Sequence, residues 1–230
     1  MFITRRPQDY RLVDRLDPGY WHPAYEAMLA ECALELAPLG DFIEHITYGA
    51  IVTGRAPQTH PQGILLIGQG CLRPSGVDTS EAVRVAADGP WAPARCVVQR
   101  GDLLIARSGE GSLAKGRLGV YHEREPAVVD CFVDLVRLRD IDADYVAAFL
   151  RTRFGWAQIH RLINGVGPSN LSFDEIRSLR VALAPGEMQA EVARRYAEEV
   201  LPPHRGRSFE EATAAMREIV AGLEHELARS

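Results

Sequence analysis

Foremost among the residues of this chain able to hold a metal, attack a substrate or move a proton are seven histidines, four cysteines and two aspartates in one apolar run. Their spacing builds no reaction centre. His22, His45, His60, His122, His160, His204 and His225 include no pair at metal-ligand spacing. Cys32, Cys71, Cys96 and Cys131 form no C-x-x-C pair, so they read as reduced thiols and not as zinc ligands or a disulfide framework. Asp130 and Asp134 lie within the apolar run from Ala127 to Leu138, where solvation at a strand edge or a local ion pair is the expected state. A nuclease would need a lysine in a Glu-x-Lys arrangement beside them, and the one lysine, Lys115, stands between Ala114 and Gly116. Gly109-Glu110-Gly111 lacks the strand-to-helix frame of a dinucleotide fingerprint, and Ser108 sits in no G-x-S-x-G elbow. No Gly-Lys-Ser/Thr phosphate loop occurs. Nor does the Asn/Asp-Pro-Pro-aromatic loop of DNA methyltransferases, since Pro202-Pro203 is flanked by Leu201 and His204.

What remains is arginine chemistry. Of 26 basic residues all but Lys115 are arginine, a side chain suited to two-pronged contacts with guanine and phosphate, although GC-rich coding yields the same ratio. The formal net charge is -5, against the usual basic balance of nucleic-acid binders. The acidity is segregated. Residues 1–39 carry 4 Arg against 6 acids, residues 186–230 carry 6 against 9, and residues 40–185 balance 16 against 16. The middle can therefore present a basic face.

Short elements must position these arginines. Pro23 begins a helix with Tyr25, Met28, Leu29, Cys32 and Leu36 on one stripe, ended by Pro38 and Gly40. Beyond it, Gly and Pro punctuate short strands: Gly63 to Gly68, Leu103 to Ala106, Arg117 to His122, and Ala127 to Leu138 as the strongest. Asp142 caps a helix carrying Tyr145, Val146, Phe149, Leu150, Ile159 and Leu162. Ser172 and Glu175 form a capping box, and a strand follows at Arg180 to Ala184. Met188, Val192, Tyr196 and Val200 share a helical face, and Phe209, Ala212, Met216, Ile219, Leu223 and Leu227 recur at heptad-like spacing. That last stripe suits packing on another helix, of this chain or a partner. Tyr20, Trp21, Trp91, Phe149 and Trp156 read as core aromatics.

Four segments in order carry a resemblance: Arg15 to Pro23; Tyr48-Gly49 with Thr53-Gly54 and Pro57; Gly101 to Gly111; and Asn164 to Ser172 followed by Leu179, Val181, Leu183, Pro185 and Gln189. Together they resemble one target-recognition domain of the specificity subunits of type I restriction-modification systems. The chain has Pro185-Gly186 where that family has a Pro-Pro pair, and half the usual subunit length. The resemblance implies an α+β fold: a target-recognition domain with a small mixed or antiparallel sheet and helices, plus a C-terminal long-helix, coiled-coil-like spacer. The expected boundaries are 1–38 for a helical arm, 39–186 for the recognition domain and 187–230 for the spacer.

It further implies a non-catalytic subunit that binds double-stranded DNA at one half of a bipartite site. A partner adenine DNA methyltransferase, with a restriction subunit as a further partner, would do the chemistry, and S-adenosylmethionine would bind that partner and not this chain. A homodimer through Phe209, Met216, Ile219, Leu223 and Leu227 would read a symmetric site. Base and phosphate contacts are expected from loop residues Arg55, Gln58, Gln69, Arg73, Arg107, Ser108, Lys115, Arg117, Ser169 and Asn170, since Arg pairs with guanine and Gln or Asn with adenine. The alternative is a protein-interaction adaptor that keeps the fold without reading DNA. The polar segment Met1 to Tyr10 and the lack of an 18-residue apolar run argue for a cytoplasmic protein with no membrane contact.

Overall fold

Apolar runs bounded by Gly, Pro and Asp fold as short strands, and the capped amphipathic stripes fold as helices. The computed structural model describes residues 20, 22–54, 56–80, 82–107, 116–163, 171–201 and 208–228. In chain order its first elements are α1 (Pro23–Ala30), β1 (Leu36–Pro38), β2 (Ile43–Tyr48), β3 (Ile64–Ile67), β4 (Leu72–Arg73), β5 (Gly76–Val77), β6 (Val83–Val85) and β7 (Val97–Val98). Then come β8 (Leu103–Ala106), β9 (Leu118–Val120), β10 (Ala127–Val129), β11 (Val133–Leu138), α2 (Ala143–Phe149) and α3 (Arg153–Ile163). The chain closes with α4 (Phe173–Ser178), β12 (Arg180–Ala182), α5 (Gly186–Arg195), a π-helical turn at Tyr196–Val200, and α6 (Phe209–Leu227).

Two four-stranded sheets form the centre. The first runs β2-β11-β8-β9 and is antiparallel; the second runs β6-β3-β10-β7 and is mixed, with β3 and β10 parallel. Two ribbons, β1-β12 and β4-β5, complete the pairing. The first sheet is buried on both faces. Leu103, Ile105, Leu118, Val120 and Val136 join a core shared with the helices, while Leu104, Ala106, Val133 and Leu135 join a core shared with the second sheet. The layers are thus helices, first sheet, second sheet. The expected α+β class holds, with two small sheets in place of one.

Three elements differ from their sequence reading. The run Ala127 to Leu138 is two strands in different sheets, because the Asp130 Oδ1 accepts the Phe132 N–H and turns the chain between them. The helix after Asp142 is broken at Leu150–Thr152, where the Thr152 hydroxyl donates to the Phe149 carbonyl. The first helix stops at Ala30, since Leu36 to Pro38 pairs with Arg180 to Ala182 instead. The caps were legible: Asp142 accepts the Tyr145 N–H, and the Ser172–Glu175 box is complete.

The tail departs from the expected spacer. Helix α6 has 19 residues, and Ala212, Met216, Ile219, Leu223 and Leu227 pack into the same core as Leu29, Val136 and Phe149. At Met216, Ile219, Leu223 and Leu227 the stripe faces this chain's own domain, not a coiled-coil partner; Phe209 is about half exposed. The three stretches expected as arm, recognition domain and spacer all contribute to that one core. Among the described residues, no helix is long and apolar enough to cross a membrane.

Candidate nucleic-acid interface

One end of the paired sheets gathers the last residues of β2, β3, β8 and β10. Gly49 donates its N–H to the Asp130 carbonyl, Asp130 donates to Ile67, and Ala50 bridges Asp130. The Arg107 N–H donates to Phe132 at 2.8 Å, and the Ala106 N–H donates to Arg117 at 3.0 Å. The Leu171 N–H reaches the Arg107 carbonyl at 3.2 Å, so the chain beyond β8 and the chain entering α4 start from one point. Glycine is required at position 49, where a Cβ would stand 2.0 Å from the Val129 carbonyl oxygen. From the flank, half-buried Arg151 donates to the carbonyls of Pro74, Ala147 and Leu118, fixing the base of the β8–β9 hairpin. Desolvation pulls its guanidinium down to about 10.

The chemistry there is cationic and aromatic, carried by half-buried Arg107, Tyr48 and Phe173 and by exposed Arg95. The Arg107 guanidinium carbon lies 3.8 Å from the Tyr48 ring centroid and 5.9 Å from that of Phe173. Tyr48 and Phe173 pack with centroids 5.8 Å apart. Exposed Arg95 approaches Tyr48 at 5.7 Å and donates to its carbonyl. Phe132 is 51% exposed and Ile51 65%, large apolar side chains facing water at the same end. Such an end can stack on, or place an apolar contact against, base edges while arginines meet guanine or phosphate.

Two carboxylates lie beneath it. Asp130 is pushed up to about 6 by desolvation, against the N–H of Phe132 that lowers it. Asp134 is wholly buried, with neither carboxylate oxygen hydrogen-bonded. Desolvation pushes it to about 7, and the nearby Arg107 charge pulls the other way. Of the two expected states, solvation at a strand edge does not describe Asp134; the local ion pair is represented by the nearby Arg107 charge, without a hydrogen bond.

The expected contact residues separate in space. Arg107, Arg117 and Gln69 come to the described end: Arg117 at the hairpin base, and Gln69 just after Gly68, whose Cβ, were one present, would stand 2.8 Å from the Asp130 carboxylate. Gln58 is exposed, two residues before His60, whose N–H donates to Arg84 of the edge strand β6, so it stands apart. Arg73 pairs with Asp78 at 3.6 Å and lies 5.8 Å from the Phe209 ring, tying the β4–β5 ribbon to α6. Arg55, Ser108, Lys115, Ser169 and Asn170 lie outside the described residues. Sequence reasoning passed over Arg95, Ile51 and Phe132 as contact groups. Phe132 carried a signal: it occupies the polar side of the alternation Asp130, Phe132, Asp134.

Solved structures to which this chain is similar include two type I restriction-modification S subunits and a type IIG restriction endonuclease. The type IIG restriction endonuclease BpuSI matches with TM-score 0.58 and 8% identity, over 93% of this chain and 33% of that one. The HsdS subunit from Thermoanaerobacter tengcongensis gives 0.48 and 14%, over 90% of this chain and 47% of that one. The type I restriction-modification S subunit from M. genitalium gives 0.45 and 12%, over 72% and 39%. This chain therefore spans half or less of the length of each. No family model and no curated protein matches the sequence.

Proposed function

We propose that this chain is a DNA target-recognition module, non-catalytic in itself, that reads one half of a bipartite site and directs a partner adenine methyltransferase to it. The observation that carries the reading is the convergence of Arg107, Arg117 and Gln69, expected from sequence as base or phosphate contacts, on one sheet end beside exposed Phe132 and Ile51. The order of the four sequence segments and the shared fold support it.

Arg107 and Arg95 would take guanine edges or phosphates, Gln69 an adenine edge, and Phe132 the methyl group of thymine. A restriction subunit remains a further partner of the assembled system, and a second copy of this chain would have to dock on a surface other than the buried stripe of α6.

Titration of the purified chain with duplex DNA, followed by fluorescence anisotropy over a range of salt, tests the reading. Affinity is expected to fall steeply with salt, with a slope set by the phosphates neutralised. An affinity that ignores salt, with a methyltransferase still co-eluting, would instead establish the protein-interaction adaptor.

A further inference from the structure

Two buried carboxylates, one at the entry to β8 and one within β11, are treated in opposite ways. Asp102, 1% exposed, receives both Nε and Nη2 of Arg137 at 2.8 Å and the N–H of Gln99. This is the ordinary arrangement for a buried charge. Asp134, 0% exposed, has no hydrogen bond at either oxygen. Its register places it between Tyr48 of β2 and Ile105 of β8, on the face that Val136 presents to the helices. Arg107 is two residues beyond Ile105 on that same face. It is the one charge acting on Asp134 among the described residues, yet it stacks on Tyr48 and makes no hydrogen bond to the carboxylate.

The other polar groups of the packed elements are engaged elsewhere. On β2, His45 bonds the Arg95 carbonyl and Glu44 acts on Arg137. On α4, Phe173 covers Tyr48, Asp174 is 98% exposed and Glu175 closes the capping box. The arginine proposed above as a DNA contact is therefore parked on a ring, beside a carboxyl group whose charge has no other compensation.

We propose that Asp134 is a positioning residue: ionised, it holds Arg107 on Tyr48, and when Arg107 turns out to the duplex Asp134 takes a proton from solvent. This rests on the reading of that sheet end as the DNA interface. The sign follows from linkage. With Arg107 beside it, Asp134 titrates at about 7; with the cation withdrawn, its titration moves higher. DNA engagement by Arg107 then binds a proton, and affinity rises as pH falls. The window lies above pH 7, because below it both states already carry the proton.

Two measurements on the full chain test this. In the first, without DNA, the Asp134 carboxyl is followed by carbon-13 NMR across pH in the wild type and in Arg107→Ala. A midpoint near 7 that moves higher in the variant is expected; an ordinary carboxylate midpoint, or one indifferent to Arg107, overturns the proposal. In the second, affinity for a preferred duplex is measured from pH 9 to pH 6. The wild type is expected to tighten up to about tenfold per pH unit down to about 7 and then level. Asp134→Asn is expected to be flat over that window, holding the wild type's low-pH affinity. Equal slopes in the two proteins overturn the proposal. A midpoint that shifts in Arg107→Ala, together with no duplex binding at all, sustains the coupling and overturns the DNA reading beneath it.

Discussion

At the scale of the residue, the decisive groups are Arg107 and Asp134. Removing Arg107 withdraws a cation from the exposed end while leaving the backbone hydrogen bonds to Phe132 and Leu171 in place. Arg107→Ala should weaken duplex binding by about 1–3 kcal/mol, relaxing preference at one base if the contact is to guanine, as base-by-base competition would show. Asp134 contributes to the dependence of stability on pH. Its folded-state value lies above the ordinary carboxylate value, so folding favours the protonated form. Its contribution to stability is complete at low pH and is lost as pH rises through about 7. Asp134→Leu should thus exceed the wild type in urea melts at pH 8 by roughly 2–4 kcal/mol, the margin closing toward pH 4. An unchanged margin across that range would contradict the burial of an unpaired carboxyl group.

At the scale of the element, local chemistry was readable where it is self-contained. The caps at Asp142 and Ser172 rest on residues three apart, and the strands Ile64–Ile67 and Leu103–Ala106 on glycine-bounded apolar runs. Ser172→Ala should lower stability by about 1 kcal/mol, measured by thermal melts. What was not readable depends on partners distant in sequence. The division of Ala127 to Leu138 into two sheets turns on an Asp130 side chain that accepts a backbone N–H, a pattern that looks identical to an uninterrupted strand on paper. Leu36 to Pro38 leaves the helical stripe because a strand nearly 150 residues later pairs with it. For the proposed interface, the sequence offers arginine and glutamine candidates, but which of them share a sheet end, Arg107, Arg117 and Gln69 and not Arg73, is a product of tertiary packing. Gly49 closes that end. Gly49→Ala would drive a Cβ into the Val129 carbonyl and should destabilise the domain by several kcal/mol in denaturant melts.

At the scale of the whole molecule, the tail is part of the fold. The heptad-like stripe of α6 is satisfied inside the chain, which accounts for its apolar spacing without a second helix from elsewhere. Leu223→Ala should cost about 2–5 kcal/mol of unfolding free energy, as a buried leucine does, at protein concentrations spanning a hundredfold, because the contact is intramolecular. A stability that rises with concentration would place the stripe between copies. The helical layer and the second sheet together clasp the first sheet, and its Tyr48–Arg107 end is the surface proposed to meet DNA. Balanced charge in residues 40–185 with acidity in the flanks is compatible with the proposed DNA contact, because local groups of arginine act at short range independently of the net charge.

Selection of bound duplexes from a random pool, run in parallel with the wild type and Arg107→Ala, bears on this account most directly. Enrichment of one short sequence by the wild type, with at least one of its positions lost in the variant, is the predicted result. A wild-type pool that stays random, or a motif that survives intact without Arg107, would contradict it.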